Sequence, residues 1–359
     1  RKSTLVTGQT GFITAGVFTL FSLFSAFFQL SLFTTCIALP FVFFASWFVV
    51  RAHKGNTPTL SGTKRITPLT VEEQKKLQQK EGRYTLVAHP INHYGEKLRW
   101  CMDLINAPYT ESNVGAIILV FLRARSVPWL VDNVSCSRIG NSDESLFYLH
   151  GVHVPTMPEP SRTLAHKLLQ RTDETMKWEA KLNNLGHLIQ GGAYYHLLGH
   201  EDGEMTITCW GGFEPLVPLI DRLLVRGLYY SFLNPFLKKA FRHLGEKGVE
   251  LQAKRMTELE ELFKEVDDVL GKQKHLTGED LSYVDITFCS LIAPLLASKI
   301  LGPEKSLYAN GRFVSFDGLY ARLAGKLPKG LLEMEENLSN RRCGQYVIEM
   351  YDQYRSKKL

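Results

Sequence analysis

Residues 3–50 contain no Asp, Glu, Lys or Arg, and eleven of the chain's 21 phenylalanines fall between Phe12 and Phe48. A helix needs about 20 apolar residues to cross the hydrocarbon core of a membrane. Gly11–Val50 supplies more than that, and a signal-peptide core of about 7–15 residues is too short to account for it. The expectation is one principal span within Val17–Val50, kinked at Pro40 and with Trp47 at the interface. A tight helical pair, broken near Thr34-Thr35 or at Pro40, stays open as the alternative. Arg51, His53, Lys54, Lys64 and Arg65 follow at once. Positive charge on this flank predicts that the C-terminal part lies on the cytosolic, stromal or matrix side, although Arg1-Lys2 makes the other flank basic too. The first residue is Arg rather than Met, which fits a removed targeting peptide, and with it an organellar membrane, but equally disorder or trimming upstream.

The remainder of the 359 residues is enough for about two domains of ordinary size. Composition is ordinary for globular protein, with 45% hydrophobic and 22% charged residues. The net charge of +6 comes without a Lys/Arg run. That excludes a nucleic-acid partner and leaves a solvated surface with at most a weak preference for an anionic membrane face. The six cysteines are scattered, with no CxxC and no metal-ligand spacing to histidine. They read as free buried thiols in a reducing compartment, and no metal is expected. Residues 55–82 are polar and rich in Gly, Pro and Thr, a linker with one short amphipathic helix at Val71–Lys80.

Tyr84–His89 alternates like a strand. His93–Ala107 carries apolar residues at helical spacing, with Asn92 at the N-cap position and Pro108 ending the helix. A further helix is expected over Val114–Arg125. Val127–Val131 reads as a strand, and a helix starts at Asn141-Ser142 and runs to His150. The runs HPINHYGEKLRW, VPWLVD and IGNSDESLFYL resemble the thioredoxin-like N-terminal domain of glutathione transferases, in particular bacterial-type proteins with an S-H-Y-C-E-K-x-R-W motif. The resemblance implies that Val127 and Pro128 hold the cysteinyl part of glutathione through the backbone before a cis proline. It also implies that Asn141 and Ser142 hold the γ-glutamyl group, and that Asn92 occupies the position that activates the thiol. The chain departs from the pattern at three places. Asn92 stands where the family has Ser, Cys or Tyr, and Gly95 stands where the second cysteine of a thioredoxin-type pair would be. Asn141 replaces an acid, which leaves Asp143 or Glu144 as the nearest carboxylates. Disulfide exchange through a protein thiol at this place is excluded. His93 and Tyr94 read as packing residues.

From Ser161 the pattern is helical. Expected helices are Leu164–Lys181, Gly186–Leu198 after a short break, Pro215–Phe232, Pro235–Phe241 and Val249–Leu270. Ser282 and Asp285 form an S-x-x-D capping box before the apolar run Ile286–Leu296. In the resemblance this box nucleates the buried helix of the all-helical domain. AYYHLLGHED (193–202), LIAPLL (291–296) and RRCGQYVIEMYDQYR (341–355) extend the likeness, so it covers Arg83 to Arg355. His196-x3-His200 has a zinc-like spacing, but Gly199 and Gly203 interrupt the helix and the likeness explains the segment without metal.

The predicted organisation is a membrane anchor over 1–54, a linker over 55–82, a thioredoxin-like α/β domain over 83–152 and an all-α glutathione-transferase C-terminal domain over 153–359. Two functions stay open. One is a non-catalytic binding or accessory subunit of an organellar (photosynthetic or respiratory) membrane complex, held to membrane lipid and to other subunits or to a second copy as a homodimer. The other is a membrane-bound glutathione transferase or peroxidase acting on lipophilic electrophiles, with glutathione as cosubstrate.

Overall fold

The computed structural model describes residues 82–89, 92–113, 128–135, 137–199, 203–213, 217–241, 245–301 and 327–355. The chain divides into two compact units, residues 1–62 with 117–125 and residues 63–116 with 126–359. All described residues belong to the second. The expected span within Val17–Val50, the linker helix Val71–Lys80, the helix Val114–Arg125, Val127 and His200–Asp202 lie outside the described residues. Among the described residues no helix is long and apolar enough to cross a membrane.

The N-terminal part folds as β1 (Tyr84–Ala88), α1 (His93–Leu104), β2 (Tyr109–Asn113), β3 (Trp129–Asp132), β4 (Ser137–Gly140) and α2 (Ser142–Val152). The described strands form one sheet in the order β2-β1-β3-β4. β1 and β2 run parallel, while β3 is antiparallel to both β1 and β4. A parallel pair joined through α1, followed by an antiparallel hairpin and a helix, is a thioredoxin-like arrangement. β1 alternates buried and half-buried positions, and Tyr84, Leu86 and Ala88 face the core, as its period-2 pattern predicts. β2 was not foreseen. Its sequence YTESN has no buried position, so an edge strand of this kind gives no apolar alternation to read. α1 stops at Leu104 rather than Ala107, because Asn106 adopts φ 50°, a left-handed turn that asparagine tolerates better than most residues.

The C-terminal part is helical: α3 (Ser161–Leu169), α4 (Asp173–Gly199), α5 (Glu204–Cys209), α6 (Leu219–Leu228), α7 (Asn234–Ala240), α8 (Gly245–Leu270), α9 (Tyr283–Ile292), α10 (Ala297–Leu301), α11 (Lys329–Ser339) and α12 (Arg342–Tyr354). A π-helical turn, Tyr229–Leu233, joins α6 to α7. The expected break before Gly186 is absent, since α4 runs unbroken through it. The break falls instead at Gln170–Thr172, inside the expected Leu164–Lys181 helix. There Thr172 and Thr175 cap each other: Thr172 N–H donates to Thr175 Oγ1 at 2.8 Å and Thr175 N–H to Thr172 Oγ1 at 3.2 Å. Ser/Thr side chains that bond backbone locally compete with the helix in this way.

The capping box at the start of α9 forms. Asp285 does more than cap. Its Oδ2 accepts from Ser282 N–H at 2.9 Å and Ser282 Oγ–H at 2.7 Å, and its Oδ1 accepts from Leu276 N–H at 2.7 Å and the Tyr346 hydroxyl at 2.8 Å. All ten residues of α9 are buried, which is the pattern of a helix at the centre of a core rather than on its surface. One hydrophobic cluster contains β1, α1, α4, α8, α9 and α12 together, so the sheet and the helical part share a core.

Candidate functional site

The sheet register fixes the position of the site. Val87 pairs with Trp129 across β1 and β3, and Trp129 pairs with Gly140 across β3 and β4. The C-terminal end of β1, the N-terminal end of β3 and the C-terminal end of β4 therefore lie at one edge. Pro128 directly precedes β3, Asn141 and Ser142 directly follow β4, and Asn92 follows β1 after a short loop. α1 and α2 both begin there, so their free N–H groups and positive dipole ends share that edge. The structure thus brings together Asn92, Pro128, Asn141 and Ser142. Val127 lies outside the described residues, and with it the peptide to Pro128.

Both asparagines are N-caps, and both cap in the same manner. Asn92 Oδ1 accepts from Gly95 N–H at 2.6 Å, and Asn141 Oδ1 accepts from Glu144 N–H at 2.8 Å. In each case the carboxamide oxygen takes the N–H at the third position of its helix, which is the geometry asparagine favours. The remaining polar group of the Asn92 side chain is then Nδ2, an amide N–H donor. Asn141 also carries backbone strain, at φ 52° and ψ 168°. That region belongs almost entirely to glycine and costs about 1–3 kcal/mol for other residues; such strain clusters at ligand sites. Ser142 is buried, 3% exposed. The N–H groups of Ser142 and Asp143 precede the first intrahelical bond, so this N-terminus suits a carboxylate.

Asp143, two residues after Asn141, is already engaged. It forms an ion pair with Lys97 of α1, which is 1% exposed. Glu144 is exposed at the same helix start and is the carboxylate left near the site. Gly95 sits against neighbours at close range: a Cβ there would lie 3.3 Å from Ala88 Cβ and 3.2 Å from an Arg99 nitrogen. The glycine at the place of a thioredoxin-type cysteine thus lets α1 approach β1 closely.

The motif charges Glu96, Lys97 and Arg99 are all about 1% exposed, because α1 is enclosed between the sheet and α9. Each has an opposite partner. Arg355 Nε reaches Glu96 Oε1 at 2.6 Å, Lys97 reaches Asp143, and Arg99 Nε reaches Glu111 Oε1 at 2.9 Å. Burial pushes the Glu96 carboxyl up to about 7, with Arg355 pulling the other way. The sequence quoted these residues as a motif without roles; their partners are 12 to 259 positions away, and no local signal reports them.

His93 and Tyr94 pack. Burial lowers the imidazole pKa of His93 to about 4, helped by nearby His187. Its ring lies 4.5 Å from that of Tyr94. Tyr94 points its hydroxyl at Gly186 of α4, where a Cβ would stand 2.0 Å away. His89, just beyond β1, is also held neutral: burial pushes it down to about 4, against a hydrogen bond with the Trp210 backbone. Cys101, Cys289 and Cys343 are buried free thiols, and Cys209 is half-buried. Cys36 and Cys136 lie outside the described residues. Among the described residues no group of three His, Cys, Asp or Glu side chains is placed to hold a metal.

Residues 223–307 match the family model of the glutathione S-transferase C-terminal domain. This segment includes α8, the capping box and α9. No curated protein sequence matches the chain. Several solved structures resemble it at low identity. Ure2p5 from Phanerochaete chrysosporium, cocrystallised with 1-(S-glutathionyl)-2,4-dinitrobenzene, is 16% identical, with 76% of this chain and 95% of that one covered and a TM-score of 0.36. A glutathione transferase family member from Pseudomonas fluorescens Pf-5 with two glutathione bound is 16% identical over 77% of this chain and 96% of its own, with a TM-score of 0.39. A glutathione S-transferase from Methylobacillus flagellatus KT with glutathione bound is 12% identical over 74% and 98%, also at a TM-score of 0.39. At these scores the fold rests on the strand order and the matched helical segment, not on the individual structures. On those two observations, the described part of the chain has a glutathione-transferase-like fold, a thioredoxin-like domain followed by an all-helical one.

Proposed function

We propose that the chain is a membrane-tethered, glutathione-transferase-like protein with an altered site, acting as a non-catalytic binding or accessory subunit of an organellar membrane assembly. The observation that carries this reading is the use of Asn92 as a helix cap. A transferase must favour the thiolate of glutathione over its thiol, whose ordinary pKa is near 8.5. A hydroxyl or thiol at the start of α1 would donate an O–H or S–H hydrogen bond to that thiolate; Asn92, whose carboxamide oxygen is held by Gly95 N–H, offers only the weaker amide N–H donor. The ion pair of Asp143 with Lys97 supports the same reading, because it withdraws the nearest acid from a γ-glutamyl ammonium. The tether rests on the charge-free stretch of residues 3–50.

The second reading is a membrane-bound transferase or peroxidase for lipophilic electrophiles. It is favoured by the free donors at the start of α1 and by Asn92 Nδ2, which could hydrogen-bond a thiolate. In that reading glutathione would be held by the Val127 backbone beside Pro128 and by Asn141 and Ser142. Its sulfur would attack the electrophile and expel the leaving group.

Calorimetric titration with millimolar glutathione tests these readings together with membrane extraction. The proposal expects weak or no binding and a protein that resists alkaline carbonate. Tight binding lost in Ser142→Ala would favour the transferase, and extraction by carbonate would remove the tether.

A further inference from the structure

The helix α6, the π turn and α7 form one continuous helical stretch, Leu219–Ala240. Among the described residues ten large apolar side chains are exposed, and five of them lie here: Leu219 at 58%, Leu223 at 52%, Tyr230 at 63%, Phe232 at 40% and Phe236 at 39%. At about 100° per residue, Leu219, Leu223, Arg226 and Tyr230 fall within one narrow stripe. Phe232, inside the π turn, forms a second stripe with Phe236 and Lys239 of α7. Each stripe contains a cation. Phe232 and Phe236 stack at 5.9 Å between ring centroids.

The charge of the stretch is one-sided. Asp221, its one carboxylate, is turned inward and 1% exposed. Arg222, Arg226, Lys238 and Lys239 are exposed or half-buried, and among the described residues none of them pairs with a carboxylate. Exposed aromatic and aliphatic side chains interleaved with cations that have no carboxylate partner among the described residues describe a helix that lies in the headgroup region of an anionic bilayer. A second copy of the chain packed on these stripes would bring Arg226 and Lys239 close to like charges. A lipid surface brings them phosphates and carboxylates instead, each cation contributing to the attraction.

We propose that Leu219–Ala240 is a membrane-docking helix that lays the helical domain on an anionic lipid surface. The inference rests on the membrane tether proposed above only for its setting; the docking itself belongs to this surface.

The test uses the full chain reconstituted into phosphatidylcholine vesicles, with or without about one-third phosphatidylserine to supply surface charge. A nitroxide is attached at Tyr230→Cys, and the unsubstituted protein treated in the same way supplies the background. In phosphatidylserine vesicles the label is expected to collide with lipid-dissolved oxygen and to be shielded from an aqueous nickel chelate. This contact is expected to be lost in pure phosphatidylcholine and in Arg226→Glu/Lys239→Glu, both surface changes whose folding circular dichroism can check. A label that stays aqueous in phosphatidylserine vesicles overturns the proposal, as does dipolar broadening between labels, which would mean that a second copy covers the face. Carbonate extraction of the same vesicles separates the two membrane statements. A chain that resists extraction with an aqueous label keeps the tether and loses the docking; a chain that is extracted but whose label contacted lipid keeps the docking and loses the tether.

Discussion

At the scale of single residues, Asn92 and Asn141 each cap a helix at the proposed site. Asn141 is the more strained, at φ 52° and ψ 168°. Asn141→Gly removes the strain and loses a cap that glycine replaces at a cost of only a few tenths of a kcal/mol. Asn141→Ala loses the cap and keeps the strain. Urea denaturation is therefore expected to find Asn141→Gly neutral or stabilised by about 1 kcal/mol, and Asn141→Ala destabilised by about 1–2 kcal/mol. Equal losses for both would mean that the backbone at 141 is not held as described. His89 gives a second residue-scale prediction. Its pKa is lowered in the fold to about 4 from an ordinary 6.5, so the unfolded chain binds the proton more readily, and stability is lost as pH falls from about 6.5 towards 4. Between pH 7 and 5 this one group costs about 2 kcal/mol. Glu96, raised to about 7 from 4.5, works in the opposite sense in the same window, because its burial penalty is relieved as it protonates. His89→Gln is expected to show a flatter loss of denaturant midpoint between pH 7 and 5 than the parent, and an unchanged slope would contradict the buried neutral imidazole.

At the scale of elements, α1 is the hinge of the architecture, touching the sheet, α2, α4 and α9. Its contact with α4 depends on Gly186, where a Cβ would lie 2.0 Å from the Tyr94 hydroxyl and 2.7 Å from its Cζ. Gly186→Ala is expected to cost about 1–3 kcal/mol through overpacking, and Tyr94→Phe in the same chain should recover part of it. A double-mutant cycle measures that coupling, and additive effects would sink the contact. The α1 N-terminus, the capping box and the long helix α8 were legible in the sequence because each announces itself within a few residues: Asn before an amphipathic run, S-x-x-D before an apolar one, apolar residues at heptad-like spacing. β2 was not, since a polar edge strand has no period to read. The break at Gln170–Thr172 was missed because the Thr172–Thr175 capping pair was outweighed by apolar residues on either side. The roles of Glu96, Lys97 and Arg99 needed the fold, as did the His275–Tyr346–Asp285 chain, in which Tyr346 Oη lies 2.8 Å from His275 Nδ1 and from Asp285 Oδ1.

At the scale of the whole molecule, the last described residue, Arg355, ties the helical part to α1. Arg355 bonds Glu96 at 2.6 Å and Asp103 at 2.9 Å, and its guanidinium lies 5.8 Å from the Trp100 ring centre. Removing one partner of a buried pair leaves the other charge uncompensated, at about 3–5 kcal/mol. Arg355→Met is expected to lose that much in equilibrium unfolding, and Glu96→Gln in the same chain should restore part of it. Since sheet and helical part share one core, both should melt in a single transition. We propose that Asn92, at the start of α1, serves as a helix cap rather than as an activating group for glutathione. This is tested most directly by steady-state turnover of a chloronitrobenzene electrophile with saturating glutathione, in the parent and in Asn92→Ala. Both are expected to proceed at the rate without protein. Turnover in the parent that Asn92→Ala abolishes would contradict it.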